Sequence, residues 1–170
     1  MNRWITILIL LIVAAALAGI LITRMQVWAA PPQPIAFSHL THVQAGVQCL
    51  FCHSSPLRAD IASLPSVQKC MGCHAMVATD KPEVQVLAGY WERKEPIPWN
   101  RVNYQPEFVY FSHRAHLASG LNCEICHGDV GSMTVAQPVV KMDMGWCLDC
   151  HLKQPPEKTA RLSDCLTCHK

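Results

Sequence analysis

Apolar residues are spread very unevenly along this chain. From Ile5 to Ile22 runs ITILILLIVAAALAGILI, eighteen residues without a charge, with only Thr6 and Gly19 outside the apolar set. At about 1.5 Å of rise per residue such a run makes a helix of about 27 Å, close to the hydrocarbon thickness of a bilayer. Trp4 and Trp28 flank it, with Arg3 before and Arg24 after, which is the pattern of an interfacially anchored span. Residues 1–30 are therefore expected to form a membrane anchor, transmembrane over about 5–22. A cleaved signal peptide is the rival reading, with a poor cleavage site at Val27-Trp28-Ala29. Its apolar region would be about 7–15 residues, shorter than the run found here. One arginine on each side does not orient the helix.

Pro31, Pro32 and Pro34 end any helix and predict a stiff linker over 31–36. Over residues 37–170 neither the helical nor the strand period is sustained, and prolines recur through the middle. The pattern predicts a mainly α and irregular domain with little secondary structure and a thin side-chain core. Its length of 170 residues suits one small domain plus an appendage. Charged residues make up 15%, below the ~25% of a soluble domain. The net charge of +2 leaves no nucleic-acid footprint. Ten cysteines argue against an ordinary cytosolic enzyme.

Those ten fall as Cys49-Leu-Phe-Cys52-His53, Cys70-Met-Gly-Cys73-His74, Cys123-Glu-Ile-Cys126-His127, Cys147-Leu-Asp-Cys150-His151 and Cys165-Leu-Thr-Cys168-His169. Each is C-x-x-C-H, the attachment pattern of a c-type haem, and no cysteine is left over. Two thiols three positions apart on a helical turn reach the two vinyl groups of one porphyrin, and the next histidine presents its imidazole to the iron. Disulfides would explain the cysteine pairs but not a histidine after every second one. Zinc would need the pairs in fours, and five pairs do not divide so. Five covalent haem c groups are expected, about 27 residues apiece, so that the macrocycles form the core. Thioether attachment takes place outside the cytoplasm, which puts the N-terminus inside and the haem domain outside.

Four histidines remain, in Phe37-Ser38-His39-Leu-Thr-His42 and Phe111-Ser112-His113-Arg-Ala-His116. Phe37, His39, His42, Gly46, Cys49, Cys52 and His53 recur 74 positions later as Phe111, His113, His116, Gly120, Cys123, Cys126 and His127. This is an internal repeat. It divides the domain into a two-haem unit over 37–80, a haem-free insert over 81–110 and a three-haem unit over 111–170. Histidines at i and i+3 of a helix point about 60° apart, so each pair can address two irons.

The F-x-H-x-x-H box ahead of a C-x-x-C-H resembles the class III multihaem cytochromes c. The resemblance implies that His39 faces the haem of His53, His42 that of His74, His113 that of His127 and His116 that of His151. No histidine is then left for the haem of His169. Where the family carries a histidine before the unit's second motif, this chain has Met144, with Met142 close by. Four bis-His haems and one His169/Met144 haem are expected, Met142 being the fallback. The alternative is a fifth haem that is open or water-ligated. A thioether ligand raises the potential relative to a second imidazole.

In the insert, Trp91 to Val102 alternates aromatic and basic side chains, and Pro96, Pro98 and Pro106 keep it extended. Arg93 and Arg101 could bond haem propionates or simply face water. The insert, the anchor, the two boxes, the M-G-W-C segment and the haem count together resemble the pentahaem cytochrome subunit of alternative complex III. That resemblance implies an electron-conducting subunit in a bacterial cytoplasmic membrane, its haem domain periplasmic. It also implies integral-membrane quinol-binding and iron–sulfur partners, and a soluble carrier or terminal oxidase as acceptor. No acid, base or nucleophile stands out, so the chain is not expected to be catalytic alone. The rivals are a stand-alone NapC-type quinol dehydrogenase, against which the Ser54-Ser55-Pro56-Leu57 run lacks the expected methionine, and a multihaem reductase with one open iron. Two propionates per haem would bring the charge to about −8 with ferrous irons or about −3 with ferric ones, an acidic face for a basic partner.

Overall fold

The computed structural model describes residues 2–27 and 29–169, over 24–27 as backbone only. Trp28, and with it the candidate cleavage site, lies outside the described residues, as does the Arg24 side chain. Helix α1 (Arg3–Val27) continues past the apolar run on both sides. Its Arg3–Thr23 stretch has a mean hydropathy of 3.1 and buries nothing against the rest of the chain, so it is long and apolar enough to cross a membrane. The Arg3 guanidinium sits over the Trp4 ring at 5.3 Å.

Beyond the linker come α2 (His39–Gln44), α3 (Cys49–Cys52), α4 (Val67–His74), α5 (Pro82–Glu92), α6 (His113–Ala118), α7 (Glu124–His127), α8 (Met144–His151), α9 (Pro156–Leu162) and α10 (Cys165–Cys168). Single 3-10 turns cover Ser55–Leu57 and Val130–Ser132. No strand occurs among the described residues. Every C-x-x-C-H lies on or at the edge of one of these short helices.

The repeat is visible atom by atom. Ser38 caps α2 by accepting from Thr41 N, and Ser112 caps α6 by accepting from Ala115 N. Each helix ends on a glycine with positive φ, +84° at Gly46 and +82° at Gly120. There the next N–H reaches back to a carbonyl: Val47 to His42, Leu121 to His116. Only glycine takes that conformation without strain, which is why it recurs at the same place. The two units then pack reciprocally. Helix α2 lies on the turn Val130–Ser132 after the second unit's first motif, and α6 on the turn Ser55–Leu57 after the first unit's. Leu40 N donates to Met133 O (3.0 Å) and His113 N to Asp60 O (2.9 Å).

The insert departs from the extended chain expected of it. Its first part is α5, the longest helix after α1 among the described residues. Pro82 stands at its start, where the missing N–H costs nothing, and Val84 and Leu87 give it one apolar edge. From Glu95 the chain is extended, as the prolines require. Helix α5 packs on α4, and Leu87 joins Ile35, Val67 and Ile97 in a small apolar cluster with Cys70, Met71, Tyr90 and Trp99 against it. These, with Val84, are the only buried hydrophobic residues described, and among the described residues no side chain is completely buried. The accessible surface is 12832 Å², whereas a compact chain of this mass would expose about 8,300 Å². The bare anchor accounts for part of the excess. The rest comes from the thin side-chain core of the domain.

Candidate functional site

Six of the nine histidines stand in facing pairs. Ring centres of His42 and His74 are 6.0 Å apart, those of His113 and His127 6.4 Å, and those of His116 and His151 6.1 Å. First-row metals bind imidazole nitrogen at about 2 Å, and a ring centre lies about 1.2 Å behind that nitrogen, so two imidazoles on opposite sides of one ion are centred about 6.3 Å apart. The three separations have that value. His39 has His53 as the neighbouring charge that most depresses it, after burial itself. Burial likewise lowers His127, with His113 and His53 adding to it. Both shifts favour the neutral imidazole, the form that can ligate.

Phe37 and Phe111 explain how two histidines one turn apart address different partners. The Phe37 ring meets His39 edge-on (4.8 Å, 87°) and stacks on His42 (4.4 Å, 27°). Phe111 repeats this with His113 (4.7 Å, 88°) and His116 (4.5 Å, 27°). The phenylalanine wedges the pair apart. In the sequence it is visible only as a repeated letter.

The second ring nitrogen is organised just as consistently. Nδ1 of His42 donates to Ser38 O (2.8 Å), of His53 to Ser63 O (3.0 Å), of His74 to Val77 O (3.0 Å) and of His113 to Asp60 O (3.0 Å). Nδ1 of His116 donates to Ser112 O (2.7 Å), of His151 to Leu162 O (3.0 Å) and of His169 to Phe108 O (3.2 Å). A carbonyl only accepts, so these seven Nδ1 atoms carry the proton and each Nε2 is left with its lone pair. His127 has the Asn103 side-chain amide at 3.2 Å instead. The His39 Nδ1 is buried with no partner. Asp60, Ser63, Asn103 and Phe108 are thus part of the site, and nothing in the sequence marks them. Asp60 does so twice, since its carboxylate also accepts from the Ser112 hydroxyl.

No disulfide joins any of the ten cysteines. Burial pushes Cys52, Cys70, Cys123, Cys126 and Cys147 up, and thiols of neighbouring motifs add to it. Cys49, Cys73, Cys150, Cys165 and Cys168 complete the five pairs. Paired thiols on a helical turn, an imidazole after each pair with Nε2 left bare at four of the five, and facing imidazoles at ion-spanning distance all fit haem c. Cys49, Cys52, Cys70, Cys73, Cys123, Cys126, Cys147, Cys150, Cys165 and Cys168 would hold the porphyrins. His53, His74, His127, His151 and His169, with His39, His42, His113 and His116, would hold the irons.

The fifth position differs. His169 stacks on Phe108 at 5.8 Å, and no second histidine faces it. Met144 is exposed on the first turn of α8, one turn before Cys147, whose thiol neighbours that of Cys168. Met142 is half-buried and lines a small cavity with Asn103, Tyr104 and Val140. Arg93 pairs with Glu95 at 2.7 Å and lies 5.0 Å over the Tyr90 ring, while Arg101 is exposed.

Comparison with known proteins places the chain among multihaem c-type cytochromes. Residues 22–98 match the class III cytochrome c family, and residues 109–170 match cytochrome c7 and related cytochromes c. A relative from Nitratidesulfovibrio vulgaris, the multihaem cytochrome c subunit of menaquinone reductase, is 33% identical over 161 residues, covering 81% of this chain and 77% of the relative.

Proposed function

Because the chain belongs to the multihaem c-type cytochrome family of that relative, with class III haem-binding domains, we propose that it is the membrane-anchored five-haem subunit of a quinone-linked oxidoreductase. The observation that carries this reading is the set of facing histidines at 6.0–6.4 Å. Haem c supplies a one-electron iron couple, and an iron ligated on both faces has no position left for substrate. The protein's part is to hold rings, protons and potentials. Each imidazole that donates Nδ1–H to a carbonyl is a more basic ligand, which favours the ferric iron and lowers the potential.

The motif resemblance points to quinol oxidation, as in alternative complex III, with electrons leaving to a periplasmic carrier or an oxidase. The relative's name points to a quinone being reduced. Seven carbonyl-bonded imidazoles favour low potentials, and this supports the second direction, toward the quinone. Both directions place α1 in a bacterial cytoplasmic membrane and the haem domain outside it, beside integral-membrane and iron–sulfur subunits.

Extraction in mild detergent tests the reading. The chain should co-purify with membrane subunits, contain five c-type haems by pyridine haemochrome, and leave a quinol analogue unoxidised when isolated. Turnover by the isolated chain would favour the NapC-type reading, and a cyanide-binding high-spin haem would favour a reductase. The Met144→Ala variant should lower one midpoint potential and spare four.

A further inference from the structure

The motifs are not arranged in space as they are in sequence. The second, Cys70–His74, lies against the first, Cys49–His53: the Cys70 and Cys52 thiols are neighbours, and the Lys69 ammonium sits 4.5 Å over the Phe51 ring. The first lies against the third across the reciprocal packing of α2 and α6, with Cys49 beside Cys123 and His53 beside His127. The third motif's box adjoins the fourth motif through His116 and His151, whose ring centres are 6.1 Å apart, and the fourth leads to the fifth through α9, which packs on α8 and accepts the His151 Nδ1–H at Leu162 O (3.0 Å). The fifth is tied back to the insert by Tyr110 N donating to Cys168 O (2.8 Å) and by His169 to Phe108.

One end of this row is fastened to the membrane linker. Ile35 is buried with Val67, Leu87 and Ile97, and Cys70 and Met71 pack on that cluster. The linker just before it is clasped by Asn100, whose N–H donates to Gln33 Oε1 (3.0 Å) and whose side-chain amide donates to Pro32 O (2.6 Å). Gln33 Nε2 donates back to Asn100 O (2.9 Å). Helix α1 ends at Val27, and eight residues at about 3.5 Å each place Ile35 within about 28 Å of that end.

We infer that the five attachment segments form one row in the order second, first, third, fourth, fifth, with Cys70–His74 the terminus nearest the membrane and Cys165–His169 the terminus farthest from it. This rests on the haem reading and on α1 as a retained anchor, and it adds the direction in which the row runs.

The test uses full-length holoprotein in lipid nanodiscs. His42→Ala and His116→Ala each open one iron and mark it with a high-spin ferric signal. Gadolinium-chelating lipid should relax the signal of His42→Ala more strongly than that of His116→Ala. Equal relaxation, or the reverse, overturns the inference. So does the absence of a high-spin signal, which removes the ligand assignments while five haems by haemochrome would leave the electron-carrier reading standing. Should the alanine variants fail to mature, methionine variants keep six ligands. Raising one potential with His42→Met should perturb one neighbouring haem in a redox titration, and His113→Met should perturb two. Two neighbours for the first, or one for the second, overturns the order.

Discussion

Residues 37–53 and 111–127 adopt the same local structure, with a serine cap, a phenylalanine wedge, two splayed histidines and a left-handed glycine in each. The segments after them are held together in different ways. The first unit runs into α4 and α5, where Val67, Val84 and Leu87 are buried and Ile35 and Ile97 close the cluster. The second runs into α8, α9 and α10, where no hydrophobic residue is buried among those described. Ligand geometry comes from a short repeated segment, while stability comes from whatever fills the space behind it: side chains in the first unit and, on the proposed haem reading, porphyrin in the second.

The largest effect expected from this contrast is that of removing haem. A haem-free chain should keep residues 64–100 protected while a protease cuts within 111–169. Equal cleavage of both would erase the difference between the units. Leu87→Ala should destabilise the first unit by about 3 kcal/mol by leaving a cavity. Leu166→Ala, at a side chain 71% exposed, should change stability by less than about 0.5 kcal/mol. Denaturant titration of the two variants compares them directly.

Gly128 has no left-handed counterpart in the first unit. Its φ is +67°, and an added Cβ would lie 2.9 Å from Val139. Gly128→Ala should therefore cost about 2–3 kcal/mol, against about 1 kcal/mol for Gly46→Ala or Gly120→Ala, which meet open space. Equal melting shifts for all three would remove this asymmetry. The smallest effect is at the caps. Ser38→Ala and Ser112→Ala should each lose about 1 kcal/mol, with Ser112→Ala the worse because its hydroxyl also holds Asp60. A larger loss from Ser38→Ala would show that the reciprocal packing is not carried by that bond.

Much of the site is legible in the amino-acid order. Cys-x-x-Cys-His puts two thiols and an imidazole on one helical turn, and the box His39–His42 is helical because Ser38 caps it. The apolar run Ile5–Ile22 is helical for its length alone. The helix α5 is harder to see, since only Val84 and Leu87 mark its buried edge and its partner α4 is a binding motif. Asn103 is invisible beforehand, because its role exists only where the insert passes His127.

The sequence by itself determined how many thiol pairs and imidazoles there are, that they come in two repeated frames, and which short segments turn into helix, because these depend on residues within about one turn of each other. The tertiary structure decided which imidazoles face one another, which carbonyl holds each Nδ1, and in what order the motifs lie. Those depend on contacts between residues far apart along the chain, His113 with Asp60, His169 with Phe108 and Gln33 with Asn100. No local periodicity encodes such contacts; they form only when the two halves close on each other and the linker is clasped to the insert.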